Sequence, residues 1–200
     1  MKKKMDDWYK RFCEGKKAVR TLSSTPNAVE LARAAAILSY RASVLRALKF
    51  EGKNSEAMNA RQAGEGQIID FLCTIYESKS TIDINDVAKT WESIYQIYKR
   101  NNIEDYTYGN AQKWVNMSIK YYIILLNKFG IDYSKLIEVP VFPVDRIMIN
   151  HIKKDLSIPF SGNWSDCKDI DALKKYICAV KAEVDKQSIS LFEYELNAWN

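Results

Sequence analysis

Four polar side chains in this sequence have the types and spacing for chemistry. Lys113, Asn116 and Lys120 recur at i, i+3 and i+7 within the run Ala111 to Leu126, which is apolar on most of its circumference. They therefore form a narrow polar stripe along one side of a helix. A helix this apolar belongs inside a fold, where a buried ammonium group is expensive, so the stripe meets either a cleft or solvent. Partial desolvation and the positive end of the helix dipole both favour the neutral, nucleophilic amine of a lysine placed in such a first turn. The fourth group is Asp145, which follows Pro143-Val144 at the start of another helical run. A carboxylate there accepts free backbone N–H groups as a cap, and the same arrangement also points a fixed carboxylate out of a helix end.

Other routes to catalysis close quickly. There is no glycine-rich phosphate loop, Gly-x-Ser-x-Gly elbow or His-Glu-x-x-His, and the one histidine, His151, cannot build a multi-histidine metal site. His151 sits three residues before Lys154 on a basic helix surface. Cys13, Cys73, Cys167 and Cys178 have no zinc or iron–sulfur spacing and lie among apolar neighbours, as reduced thiols of a cytoplasmic protein do. No metal or other cofactor is expected. Lysine, aspartate and aromatic side chains remain.

The elements that must position them are helical. Thr25-Pro26 opens a run that lasts to Phe50, and Ser55 opens another that is interrupted by Gly64 and Gly66. Two glycines there mean a break or a close approach to the backbone. Asp83 to Asp86 caps a third run, and a fourth spans about Asn110 to Phe129 with Gly130 as its stop. Val139 to Pro143 is extended, because each proline biases its predecessor away from the α region. Pro143 then opens Val144 to about Leu156, Ser165 caps a run to Val184, and a last helix covers Ser188 to Trp199. Strand alternation, hairpin turns and internal repeats are absent from the sequence. The expectation is a single all-α domain of seven or eight helices over residues 1–200.

Composition agrees. With 47% hydrophobic and 28% charged residues, 7 Gly and 4 Pro in 200 residues, the chain is globular, not disordered or low-complexity. Lys2-Lys3-Lys4 is followed by no apolar signal-peptide core, and the most apolar run, Tyr121 to Leu126, is too short to span a bilayer. The net charge of +5 is regional. Residues 1–61 hold 14 Lys/Arg against 6 Asp/Glu, and residues 62–200 hold 16 against 19. Arg33, Arg41 and Arg46 of the first region suit phosphate binding, although a solvated helix surface has the same composition.

Two segments together resemble a known family. The polar turn Tyr106-Thr107-Tyr108-Gly109-Asn110 runs into Gln112-Lys113-Trp114-Val115 and Ile119-Lys120, and Val139-Pro140-Val141-Phe142-Pro143-Val144-Asp145-Arg146 follows about thirty residues later. Over residues 106–150 this is similar to the helix-hairpin-helix DNA glycosylase superfamily, most of all to the archaeal-type 8-oxoguanine DNA glycosylases. The wider superfamily's Leu-Pro-Gly-Val-Gly turn is represented only by Gly109. The resemblance implies a two-lobed helical domain with a helix-hairpin-helix element, DNA as partner, and removal of an oxidised purine with AP lyase activity. Lys113 would form the Schiff base and Asp145 would assist it. Lys120 would contact phosphate or shape the cleft beside Asn116. Trp114, Met117, Phe192 and Trp199 would line the pocket of the extruded base, and Gly109, Asn110 and Arg146 would meet the DNA backbone. A non-catalytic nucleic-acid or nucleotide-binding protein with the same cleft is the alternative.

Overall fold

Short polar side chains set where the helices begin. A computed structural model of the protein describes residues 1–43 and 55–198. In chain order the helices are α1 (Lys2–Trp8), α2 (Lys17–Arg20), α3 (Ala28–Ser43), α4 (Ser55–Glu77), α5 (Ile84–Arg100), α6 (Tyr108–Lys128), α7 (Arg146–Leu156), α8 (Ile170–Asp185) and α9 (Leu191–Ala198). Among the described residues there is no strand, so the all-α expectation holds. The short α1 and α2, joined by a π-helical turn over Tyr9–Cys13, bring the number above the seven or eight expected.

Several boundaries shift for identifiable reasons. α3 begins at Ala28, not at Pro26, because Asn27 and Glu30 cap each other: Glu30 N–H donates to Asn27 Oδ1 at 2.9 Å and Asn27 N–H donates to Glu30 Oε2 at 3.0 Å. The same reciprocal box, Asp83 with Asp86, opens α5 where expected. Asp169 caps α8 through the N–H groups of Asp171 and Ala172. Ser165 instead lies in a lone 3₁₀ turn, Trp164–Asp166. Asp145 is itself extended, φ −140° and ψ 175°, so α7 starts at Arg146 and Pro143 stays in the extended approach. The end of the run expected to reach Phe50 lies outside the described residues, as do Arg46 and Trp199.

α4 runs unbroken through both glycines. At Gly64 a Cβ would stand 2.7 Å from Cζ3 of Trp114, so glycine is there to admit the indole, whereas Gly66 has nothing within 4 Å. Trp114 belongs to α6, the axis of the fold, in which every residue from Gly109 to Leu126 except Lys113 is buried. α3 lies along α6, α4 and α5 flank it, and α1 packs on it through Met5 and Trp8. α7, α8 and α9 pack on one another, and α8 meets α5. Among the described residues no helix is long and apolar enough to cross a membrane.

Candidate functional site

The first turns of α6 and the segment before α7 are tied together by two amides. Gln112 Nε2 donates to Val144 O at 2.8 Å, while Val144 N–H donates to Gln112 Oε1 at 3.0 Å. One turn on, Asn116 Nδ2 donates to Phe142 O at 2.9 Å and Asn116 Oδ1 accepts the indole N–H of Trp91 at 3.1 Å. Residues 142–144 thus find on α6 the partners that an extended segment otherwise finds in a sheet. The next residue is Asp145. Its Oδ1 accepts the N–H groups of Ile147 at 3.0 Å and Met148 at 3.1 Å, which leaves Oδ2 to meet Lys113 Nζ at 3.1 Å. The cap of α7 and the partner of Lys113 are therefore one residue using two oxygens. The two side chains are 15% and 8% exposed, so the pair is shielded yet reachable. The ring of Trp164 completes it, its centroid 4.6 Å from Nζ.

Lys120 lies two turns deeper on the same stripe, and neither solvent nor an open cleft receives it. It is buried, paired with Glu195 of α9, with Nζ 3.5 Å from the ring centroid of Trp8. Burial holds the Lys120 ammonium below its ordinary pKa and the Glu195 carboxyl above its own, and in each case the partner's charge opposes that shift. Asp145 is close enough to act on both: its charge raises the pKa of each. Beside the pair is a cavity of about 10 Å³, lined in part by Asn116, Lys120, Val141, Phe192 and Glu195, with room for about one water. Of the predicted stripe only Lys113 reaches the surface.

The remaining predicted residues divide by burial. Trp114 has no exposed surface; its N–H donates to Ala36 O at 3.1 Å and its ring meets Tyr40 and Tyr98 edge-on, so it serves the core. Met117 is buried too, and Phe192 is buried against the cavity beside Lys120. Gly109 and Asn110 are inside the fold instead of on a surface that meets phosphate. Gly109 N–H donates to Cys167 O at 3.2 Å, Asn110 N–H to Thr107 Oγ1 at 3.2 Å, and a Cβ at 109 would stand 1.8 Å from Trp164 O. Arg146 is exposed beside Asp145. His151 is not at this site but lies against the ring of Tyr194. Among the described residues no three His, Cys, Asp or Glu side chains come together as metal ligands would.

Three roles in the site were not read from the sequence: Gln112 as the clamp, although it stands in the segment that carries the resemblance, Glu195 as the counter-charge and Trp164 as the roof. For Glu195 a signal existed, since its neighbours one turn away, Leu191, Phe192 and Ala198, put it on the apolar side of its helix. Protein-family models, curated protein sequences and solved structures yield no match to this chain.

Proposed function

We propose that the chain is a DNA glycosylase with AP lyase activity that removes an oxidised purine such as 8-oxoguanine through a Schiff base on Lys113. The observation that carries this reading is the Lys113–Asp145 pair, a lysine and a carboxylate 3.1 Å apart at the meeting of two helix starts. The chemistry needs a neutral amine next to a fixed negative charge. Asp145 takes the proton of the Lys113 ammonium, and the amine attacks C1′ of a nucleotide extruded from the duplex. The bond from C1′ to the base breaks, and the base leaves with the electron pair and gains the proton that Asp145 had taken. The carboxylate so regenerated stabilises positive charge developing at C1′. Opening of the sugar ring gives the Schiff base; loss of a C2′ proton then expels the 3′ phosphate and cuts the strand.

Borohydride tests this directly. An oligonucleotide with 8-oxoguanine or an abasic site should be trapped covalently by the wild type and not by Lys113→Gln. The hairpin, which keeps only Gly109 of the superfamily's two glycines, favours one second reading, a non-catalytic protein that binds nucleic acid or a nucleotide at the same residues. Salt-sensitive DNA binding without any adduct would select it.

A further inference from the structure

Trp164 overhangs Lys113 for a reason built into α6. Gly109 and Lys113 are one turn apart and share a face, so whatever is seated on Gly109 projects over Lys113. Trp164 itself is seated there, since its carbonyl occupies the space a Cβ of residue 109 would need. A lone 3₁₀ turn holds an indole poorly, but this one is anchored at several points. Thr107 Oγ1 donates to Ser165 O at 2.7 Å and Gly109 N–H donates to Cys167 O at 3.2 Å. Within the turn, Ser165 N–H donates to Asn163 Oδ1 at 3.3 Å and Asn163 Nδ2 donates to Asp166 Oδ2 at 2.9 Å. The glycine in the predicted phosphate turn is thus required by the loop that brings in the tryptophan. The indole is only half-buried, so the ring borders the route from solvent to Nζ.

We infer that Trp164 is the positioning residue of the Lys113 amine, holding Nζ between its ring face and Asp145 Oδ2 until the amine turns to its target. The inference rests on the reading of Lys113 as the nucleophile. An aromatic face attracts the ammonium and not the neutral amine, so the hold loosens when the proton passes to Asp145. The released amine then starts from a fixed direction, which is what an in-line approach to a sugar carbon needs.

The test uses the full chain, its Trp164→Leu and Trp164→Phe variants, and two readouts. The first is reductive methylation of Lys113 by formaldehyde and cyanoborohydride, followed by peptide mass spectrometry with exposed Lys153 as internal reference and buried Lys120 as the report on folding. With the aromatic face removed, Lys113 should label roughly 2- to 30-fold faster near neutral pH, with Trp164→Phe between. The second is borohydride trapping on an abasic duplex, which should slow by about tenfold or more in Trp164→Leu at unchanged DNA affinity. Opposite movement of the two rates, with Lys120 still protected, is the expected result. Labelling of Lys113 that is unchanged in both variants overturns the inference whatever the DNA result, and so does a parallel fall of both rates. If the wild type forms no DNA adduct while the variants still release Lys113 to formaldehyde, the glycosylase reading fails and the positioning role stands. Should Trp164→Leu expose Lys120, Trp164→Phe decides alone, through the same comparison.

Discussion

Gln112 holds Val144 at both of its backbone polar groups, donating to the carbonyl at 2.8 Å and accepting the N–H at 3.0 Å. This double bond pattern delivers Asp145 to Lys113, because only one peptide separates the clamp from the carboxylate. Replacing Gln112 by Leu leaves a buried N–H and a buried C=O without partners, at about 1–3 kcal/mol each. Urea unfolding should therefore show a loss of roughly 2–6 kcal/mol. Trapping should fall further than the folded fraction explains, because Asp145 is no longer held in register. A Gln112→Leu protein with wild-type trapping would show that α7 places Asp145 unaided.

Asp145 performs two tasks that substitution separates. Asparagine is as good a cap as aspartate, so Asp145→Asn should keep α7, and any loss of stability should come from the lost ion pair with Lys113 and not from the cap. It removes the charge beside Lys113, so adduct formation should drop by about 10²- to 10⁴-fold while DNA affinity stays. Asp145→Ala should lose both the charge and the cap, the latter at about 1 kcal/mol. Equal loss of affinity and excision in Asp145→Asn would make the residue structural only.

The buried pair Lys120 and Glu195 obeys a different logic. Removing one partner strands the other charge in the core, which destabilises by about 3–5 kcal/mol, whereas Lys120→Met with Glu195→Leu should come close to wild type or exceed it. Chemical denaturation of the two singles and the double measures this. If the double loses as much as the sum of the singles, the two side chains are not coupled and the pairing argument fails.

pH separates the same terms. Because burial outweighs pairing, the folded state holds Glu195 above the ordinary glutamate range, so it binds this proton more readily than the unfolded chain does. Stability from Glu195 is then greatest below the ordinary value and falls as pH rises through the raised one. The opposite shift at Lys120 acts on the alkaline side: its contribution grows as pH rises through the lowered value. The stability difference between wild type and Glu195→Gln, followed by urea titration from about pH 8 to 4, should move in favour of the wild type as pH falls. Movement the other way would mean that Lys120 dominates the carboxyl.

Local signals explain what could be read in the sequence. The Asp83 box, the Gly130 stop at φ 69° and the extended proline segment each depend on neighbours within a few residues. So do the stripe that holds Lys113 and the cap at Asp145, although Lys113 lies in the second turn of α6 and only the family resemblance joined the two across 32 residues. Competing caps were not legible. Asn27 against Thr25 and Asp169 against Ser165 differ by fractions of a kcal/mol, and tertiary packing chooses. Trp164 over Lys113 joins distant parts of the chain without any periodic mark, and the apolar setting of Glu195 marks its burial but not its partner. The stripe at Asn116 and Lys120 is the clearest case: helical spacing predicts a shared face but is silent on whether a partner helix brings an acid to it.

The distribution of charge gives a last test of the proposed DNA partner. The first twenty residues hold eight Lys/Arg against three Asp/Glu, and the rest of the chain is balanced at 22 of each, so the net +5 resides entirely in α1, the π-helical turn and α2. Their apolar side chains Met5, Trp8, Tyr9 and Cys13 face inward, Trp8 onto Lys120, while Lys2, Lys3, Lys10, Arg11, Lys16, Lys17 and Arg20 are exposed. Trp8 brings this surface to the α6 stripe only two turns, about 10 Å, from Lys113. Each phosphate contact contributes about 0.9 to the slope of log affinity against log salt on duplex DNA. Lys10→Gln with Arg11→Gln should thus flatten the slope by about 2. Lys175→Gln with Lys186→Gln on exposed positions of the α8 side removes the same charge and should leave the slope unchanged. Equal flattening by both pairs would mean that net charge alone draws the protein to DNA and that no face is selected.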